Sequence, residues 1–130
     1  MAGSRMKKEV LVLDGDPKQR KQLRRFLEKS EFDVTTLKAL TDLDDYLETH
    51  DCRAAIFNLD TISVNNKILR KVKSRKPRMN IIVLSGRRHH PELAEAMREA
   101  ISVCLGIPID FDELIYWLGS IYEKGENQAG

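Results

Sequence analysis

The fold of this chain is decided by the stretch AAIFNLD, which runs from Ala54 to Asp60. Its first four residues are apolar, and polar side chains follow abruptly at Asn58 and Asp60. An apolar run of strand length without alternation is typical of a strand that is covered on both faces, as in a parallel sheet. Because open α/β sheets bind their ligands at the carboxyl ends of such strands, we expect the function to involve Asn58, which is an amide rather than an acid.

The composition is that of one ordinary globular domain. The chain has 130 residues, of which 42% are hydrophobic and 32% charged, and this size suffices for one core. A net charge of +2 gives no strong attraction to nucleic acid or to membranes. No apolar stretch reaches the roughly 18 residues that span a bilayer, and no signal-peptide core is present. Cys52 and Cys104 form no metal-type pair, which predicts a reduced, cytoplasmic protein.

We predict one domain over residues 6–124, with a short segment on either side. Residues 1–5 precede a second methionine, Met6, and are interpreted as a cloning remnant. Residues 125–130 are polar and rich in glycine, so we expect a flexible tail there.

Strand and helix patterns alternate five times along the chain. The strand patterns cover residues 9–13, 33–37, 54–58, 80–84 and 101–105. Asp16 as N-cap and Pro17 as first helical residue predict the start of the first helix. Thr41 is expected to cap the second helix, and Pro91 to open the fourth. The last helix is predicted to begin at a capping box, Asp110–Glu113.

This alternation predicts an α/β fold built from right-handed βαβ units. We expect a flavodoxin-like, doubly wound five-stranded parallel sheet in the order 2-1-3-4-5, with five helices, because that order is one of the common solutions. The ends of the first and third strands then flank the point where the strand order reverses. Asp14, Gly15, Asp16 and Asn58 are expected to converge there.

Four motifs, in this order, resemble those of CheY-like response-regulator receiver domains over Lys8 to about Glu123. The motifs are VLDGDP (12–17), AIFNL (55–59), IIVLSG (81–86) and LGIPID (105–110). The resemblance implies two-component signalling, in which a histidine kinase phosphorylates an aspartate at the end of the third strand. In that family two adjacent acids help to hold Mg²⁺, while a Ser or Thr and a Lys contact the phosphoryl oxygens.

The chain departs from this family pattern at most positions of the pocket. Asp14 matches the first acid, but Gly15 stands at the second, and Asn58 stands at the phosphoacceptor position. Ser85 keeps the hydroxyl that the family has after the fourth strand. It either has no remaining role beyond bonding nearby backbone or takes part in switching. Ile107 stands where the family has its lysine. The resemblance therefore implies an atypical pocket.

Three further positions carry structural interpretations. The Ile107–Pro108 bond is expected to be cis, as is usual in this family and tolerated before proline. Cys104 matches the aromatic switch position of the fifth strand and is expected to be a small apolar filler. Asp16 is interpreted as a helix cap rather than a metal ligand.

The replacements change the chemistry that the pocket can perform. A carboxamide is a very poor nucleophile toward phosphorus, so Asn58 is not expected to form an acyl phosphate. Mg²⁺ prefers charged oxygens, so Asp14 alone is expected to bind it weakly or not at all, and no cofactor is predicted. Loss of two acids together with the lysine changes the summed side-chain charge of the pocket from about −2 to about −1. No buried charge is then left without an opposite partner. We interpret the chain as a pseudo-receiver, a retained scaffold with a degenerate phosphorylation pocket.

Two alternative functions stay open. Asp60 could be the phosphoacceptor, since strand alternation would keep it on the same sheet face as Asn58, but Gly15 and Ile107 would then be unexplained. The basic face Lys67–Arg78 could contact nucleic-acid phosphates, although no aromatic residue interleaves it and a solvated face is the better interpretation.

The leading prediction is a non-catalytic signalling module that acts by phosphorylation-independent protein–protein interaction. Receivers commonly pair through the fourth helix, fifth strand and fifth helix, which here means Pro91–Glu123. We expect a protein partner or a homodimer on that face, with no membrane and no nucleic acid as partner. The loop Arg87–His90 is expected to be solvated, because its adjacent histidines lack the spacing of paired metal ligands.

Overall fold

The structure is a computed structural model that describes residues 8–129, with side chains as far as Glu123. The expected cloning remnant at residues 1–5 lies outside this range. Within it, the strands are β1 (Glu9–Leu13), β2 (Asp33–Leu37), β3 (Ala54–Asn58), β4 (Asn80–Ser85) and β5 (Ile101–Gly106). The α-helices are α1 (Pro17–Lys29), α2 (Leu43–Thr49), α3 (Asn66–Arg75), α4 (Ala94–Glu99) and α5 (Phe111–Ala129). In this described range, no helix is both long and apolar enough to cross a membrane.

All strand pairs are parallel, and the sheet has the order β2-β1-β3-β4-β5. The predicted flavodoxin-like, doubly wound fold is therefore confirmed. β3 lies at the centre between β1 and β4, and each of its five residues is buried. This complete burial explains why its sequence is apolar without alternation.

Hydrophobic side chains fill the space on both faces of the sheet. Leu11 and Leu13 of β1 belong to the cluster that contains residues of α2, α3 and α4. Val10 and Val12 belong to the other cluster, with residues of α1 and α5. Because both faces are covered, the carboxyl edge of the central strands is where polar side chains can gather.

Two of the three predicted helix caps are confirmed. Asp16 accepts a hydrogen bond from the backbone N–H of Lys18 at 3.1 Å, and Asp110 accepts one from that of Glu113 at 3.2 Å. Thr41 was expected to cap α2, and this prediction is wrong. It lies inside a 3₁₀ turn that precedes α2, and α2 has no side-chain cap.

Two helices differ in length from those that the sequence pattern predicts. The helix predicted to open at Pro91 is a 3₁₀ turn over Pro91–Leu93 followed by the six residues of α4, because Ile101 belongs to β5. α5 continues to Ala129, beyond the last position that the apolar pattern indicated. Flexibility of residues 125–130 stays a prediction, and Gly130 lies outside the described range.

Candidate functional site

The central polar contact of the molecule joins the ends of β1 and β3. The sheet register pairs Leu13 with Phe57, so the next residues, Asp14 and Asn58, are neighbours at the carboxyl edge. Both are buried, with exposed fractions of 0% and 3%. The Asn58 side-chain amide donates a hydrogen bond to Oδ2 of Asp14 at 3.0 Å. The two predicted pocket residues are thus brought together, with the amide as donor and the acid as acceptor.

The Asp14 carboxylate is satisfied by groups of the chain itself. Its Oδ1 accepts from the backbone N–H of Asp16 at 2.9 Å and from the Thr61 hydroxyl at 3.0 Å. Together with the amide of Asn58, three donors therefore surround a carboxylate that is fully buried. Such donors offset the cost of removing a carboxylate from water. Arg20 donates to the backbone carbonyl of Asp14 at 2.9 Å rather than to its carboxylate.

Thr61 lies against Gly15 and crowds the space that the side chain of a second acid would need. Its hydroxyl accepts a hydrogen bond from the Gly15 N–H at 2.9 Å. A Cβ added at residue 15 would lie 3.1 Å from the carbonyl oxygen of Thr61 and 3.3 Å from its Cβ. The sequence analysis missed Thr61. The sequence feature that could have indicated it is Gly15 next to Asp14, because a glycine leaves room for a polar side chain from a neighbouring loop.

The carboxylate of Asp60 connects the loops that follow β3 and β4. It is exposed, and its two oxygens lie 3.1 and 3.2 Å from the backbone nitrogen of Gly86. Since β3 ends at Asn58, the strand alternation used to place Asp60 does not extend to it. The Asp60 N–H donates to the Asn58 side-chain oxygen at 3.0 Å, so both polar atoms of the Asn58 amide are bonded.

Ser85 and Ile107 meet through the backbone at the neighbouring strand ends. The Ile107 N–H donates to the Ser85 carbonyl at 3.1 Å, and the Ser85 hydroxyl accepts from the Arg87 N–H at 3.0 Å. The Ile107 side chain packs against the apolar cluster shared by α1 and α5. The bond from Ile107 to Pro108 is cis, as predicted. The side chain at the lysine position therefore packs with the core and carries no charge.

Cys104 is separate from this network, and the expectation that it fills space in the core is wrong. It is exposed on β5, which lies at one edge of the five-stranded sheet. Partial burial still raises the pKa of the Cys104 thiol. A raised pKa keeps the group protonated and weakly reactive at neutral pH.

The loop Arg87–His90 is solvated only in part. Residues 86–89 are exposed as expected, but His90 is 7% exposed. The Arg87 guanidinium lies 3.0 Å from Nδ1 of His90 and 3.0 Å from a carboxylate oxygen of Glu92, and it lowers the pKa of Glu92. Nε2 of His90 lies 3.1 Å from the Arg87 carbonyl. In the described part of the chain, no three His, Cys, Asp or Glu residues form a potential metal site.

The basic face Lys67–Arg78 is partly paired with groups of the same chain. Three of its cations form ion pairs with acids of other segments, and Lys73 donates to the Met79 carbonyl at 2.6 Å. The ion pairs are Arg70–Glu95, Arg75–Asp44 at 2.9 Å and Lys76–Asp51 at 3.0 Å. Four of the seven cations of this face therefore bond groups of the same chain, and Lys67, Lys71 and Arg78 form no ion pair among the described side chains.

Comparison with known proteins identifies the architecture. A family model described as the response regulator receiver domain matches residues 10–118. No curated protein matches the chain. Among solved structures, a signal receiver domain of an HD domain-containing protein from Pseudomonas fluorescens Pf-5 superimposes with a TM-score of 0.83 at 19% identity, covering 94% of this chain and 99% of the other.

Two further solved structures have the same fold. A CheY-like response regulator receiver domain protein from Methanospirillum hungatei JF-1 has a TM-score of 0.84 at 15% identity, covering 95% of this chain and 99% of the other. Full-length FixJ from B. japonicum has a TM-score of 0.82 at 21% identity, covering 96% of this chain and 62% of the longer protein. At these identities the likeness shows the fold alone.

Proposed function

Because the chain belongs to the response regulator receiver domain family, we propose that it is a receiver-like signalling module that works without accepting a phosphoryl group. Receiver domains are in general non-catalytic modules that interact with protein partners in signalling. In this chain the signal would be carried by protein–protein contacts that do not depend on phosphorylation.

The single observation that carries this proposal is the hydrogen bond from the Asn58 amide to Asp14 at 3.0 Å. Phosphoryl transfer to a side chain needs a nucleophile, and an amide whose nitrogen and oxygen are both engaged in hydrogen bonds offers none. The same contact uses the one family acid that remains as an internal acceptor. The polar groups of the pocket therefore satisfy one another's hydrogen bonds.

The residues present do not fit Mg²⁺. The ion prefers octahedral coordination by charged oxygens and retained waters, and usually takes one or two carboxylates from the protein. Asp14 is the one carboxylate in the cluster, and its oxygens accept three hydrogen bonds from the chain. Thr61 lies within 3.1–3.6 Å of a Cβ built at residue 15 and crowds any larger side chain there. We therefore include weak or absent Mg²⁺ binding in the proposal.

Phosphorylation at Asp60 is the competing function, and its surroundings argue against it. Its carboxylate is exposed and bonded to the N–H of Gly86. Ile107 supplies no cation for phosphoryl oxygens, and Gly15 supplies no acid for a metal. Nucleic-acid binding through Lys67–Arg78 is disfavoured for a different reason, since ion pairs within the fold occupy three of its cations.

The contact surface that we propose for a partner or a second copy is the face over Pro91–Glu123. Two features support it. β5 is an edge strand that exposes Ser102 and Cys104, and Tyr116 of α5 is a large hydrophobic residue with 68% of its surface exposed. Exposed aromatic residues of this kind are enriched at protein interfaces. Two unpaired cysteines, Cys52 and Cys104, are consistent with the cytoplasmic location that belongs to the same proposal.

The test is incubation with acetyl phosphate and Mg²⁺, followed by intact mass measurement. We expect no stoichiometric phosphoryl adduct on the parent chain. Asp60→Asn and Asp16→Asn serve as matched variants, because each removes one carboxylate near the pocket. An adduct that disappears in Asp60→Asn but persists in Asp16→Asn would establish phosphorylation at Asp60 and overturn the proposal.

A further inference from the structure

Lys73 of α3 is a partly buried cation for which the described side chains provide no counter-ion. Its ammonium group donates to the Met79 carbonyl at 2.6 Å and belongs to no ion pair. Burial lowers the pKa of this group, because partial removal from water disfavours the charged form. Lys67 and Lys71 of the same helix are exposed and need no partner beyond water. Stability of the fold therefore does not explain why residue 73 is a lysine.

Lys73 lines a groove between α3 and α4, which we call the α3–α4 groove. Its volume is about 360 Å³. Pro77, Ala96 and Ala100 also line it, and both alanines are buried. Ligand pockets in proteins measure roughly 300–1,000 Å³, so this groove is at the lower end of that range. It has room for one small molecule with an apolar part.

Glu99, the last residue of α4, also lines the α3–α4 groove and supplies a negative charge. It is exposed, and in the described part of the chain it pairs neither with Lys73 nor with another cation. The other two charged residues of the lining, Arg70 and Glu95, form an ion pair with each other. The charges left for a ligand are therefore one cation on α3 and one anion on α4. A zwitterion complements both.

Contacts near the beginning of α3 hold the two walls of the α3–α4 groove in place. The Asn66 side chain donates to the Glu92 carbonyl at 3.0 Å and accepts from the Ala96 N–H at 2.9 Å. The ion pair between Arg70 and Glu95 lies one helical turn further along α3. Such cross-links fix the groove before a ligand arrives, which reduces the entropic cost of binding.

We propose that the α3–α4 groove binds a free amino acid with an apolar side chain. The α-carboxylate accepts from the Lys73 ammonium group, and the α-ammonium group donates to the Glu99 carboxylate. The apolar side chain packs on Pro77, Ala96 and Ala100. Burial of that side chain adds affinity, while the two charged contacts set the orientation.

Other small ligands complement the α3–α4 groove less well. A simple carboxylate would meet Lys73 but leave Glu99 facing a like charge, and a simple amine would do the reverse. A peptide carries its two terminal charges far apart, so it cannot place both at one site. A nucleotide brings several negative charges to a lining that has one unpaired cation. The inference is independent of the proposed function, because it involves neither Asp14 nor Asn58.

The experiment is an NMR titration of the intact ¹⁵N-labelled chain with L-valine, L-leucine, L-methionine and L-phenylalanine. We expect the tightest of them to bind with a Kd of about 1 mM or below. Its shift changes are expected to concentrate in α3, Pro77 and α4. The tightest ligand is compared with its analogues that lack one charged group, which for leucine are 4-methylpentanoate and 3-methylbutylamine. Each analogue is expected to bind at least about tenfold more weakly.

Three variants locate the site. Lys73→Met keeps an unbranched side chain without the charge, and Glu99→Gln removes the opposite charge at an exposed position where folding does not depend on it. Each is expected to weaken binding at least about tenfold. Lys67→Met is the matched control, because it makes the same change on an exposed lysine of α3 outside the groove lining. It is expected to leave the affinity within about twofold. Circular dichroism checks that all three variants are folded.

Several outcomes would overturn the inference. They are absence of shift changes with all four amino acids at about 20 mM, equal binding of a singly charged analogue, shift changes outside the groove, or the same affinity in Lys73→Met and Lys67→Met. No acetyl phosphate is present in the titration. Absent binding would therefore refute the groove assignment alone, whereas a phosphoryl adduct in the mass measurement would refute the proposed function alone.

Discussion

At Asn58, one amide group determines both the chemistry and the stability of the pocket. Its nitrogen donates to Asp14, and its oxygen accepts from the Asp60 N–H. A carboxylate in the same place could accept from Asp60 but could not donate to Asp14. Two buried carboxylates would then face each other at hydrogen-bond distance, as they do in sites that a cation must neutralise.

Restoring the acid alone is therefore expected to destabilise the protein. Asn58→Asp replaces a donor by a second negative charge beside Asp14, and we expect the free energy of unfolding at pH 7 to fall by about 3 kcal/mol. Urea denaturation measures this loss. Because one proton shared by the two carboxyl groups removes the repulsion, the folded variant binds protons more tightly than its unfolded chain. The deficit is accordingly expected to be largest at neutral pH and to shrink as the pH falls toward 5.

The matched control is Asn80→Asp, which makes the same amide-to-acid change at the start of β4. Asn80 is only half-buried and donates to the Arg53 carbonyl at 3.2 Å. We expect a loss of about 1 kcal/mol or less there. If Asn58→Asp were as stable as the parent at pH 7, the hydrogen bond to Asp14 would not have the role assigned to it.

At the scale of the elements, α1 and α3 are two basic helices that differ in how their charges are used. Acids of α4 and α2 pair with Arg70 and Arg75 of α3, whereas four cations of α1 form no ion pair among the described side chains: Lys18, Lys21, Arg25 and Lys29. Sequence alone pointed to α3, because its run of basic residues is longer. Which cations meet acids depends on elements that are distant in the sequence, so only the folded chain distinguishes the two helices.

A single substitution on α1 tests whether repulsion between the like charges of Lys21 and Arg25, four residues apart, lowers the stability of the protein. Lys21→Glu removes one like-charge contact and places a glutamate four residues before Arg25, the favourable orientation on a helix. We expect the free energy of unfolding to rise by about 0.3–0.5 kcal/mol, measured by urea denaturation at low salt. The gain should decline at high salt. An unchanged or lower stability would contradict the account of repulsion along α1.

The helix boundaries show where local sequence information is sufficient. Asp16 and Asp110 are capping residues in sequence and in structure, because a cap involves atoms only two or three residues away. Thr41 has the right residue type but lies within a 3₁₀ turn. The helical pattern after Pro91 overlapped β5 at Ile101, and pairing of that residue with Ile81 of β4 decides between the two. Such pairing is a tertiary contact.

At the scale of the whole molecule, the proposal of weak or absent Mg²⁺ binding predicts how stability responds to ligands. A ligand at 100 times its Kd contributes about 2.7 kcal/mol to the stability of the folded state. For a domain of this size that corresponds to a rise in Tm of roughly 8–12 °C. We expect Mg²⁺ with beryllofluoride to change Tm by less than about 1 °C, as measured by differential scanning calorimetry. A rise of several degrees that is lost in Asp60→Asn would indicate a working site at Asp60.

The sequence by itself determined the order of strands and helices along the chain and the departures from the family at residues 15, 58 and 107. These follow from local patterns and motif spacing, because strand length, apolar runs and caps are properties of neighbouring residues. Only the tertiary structure decided that Thr61 lies against Gly15, that Asp60 bonds to Gly86, and that Lys18, Lys21, Arg25 and Lys29 form no ion pair among the described side chains. Each depends on atoms brought together by the sheet from loops and helices far apart in the chain, and no local pattern encodes those distances.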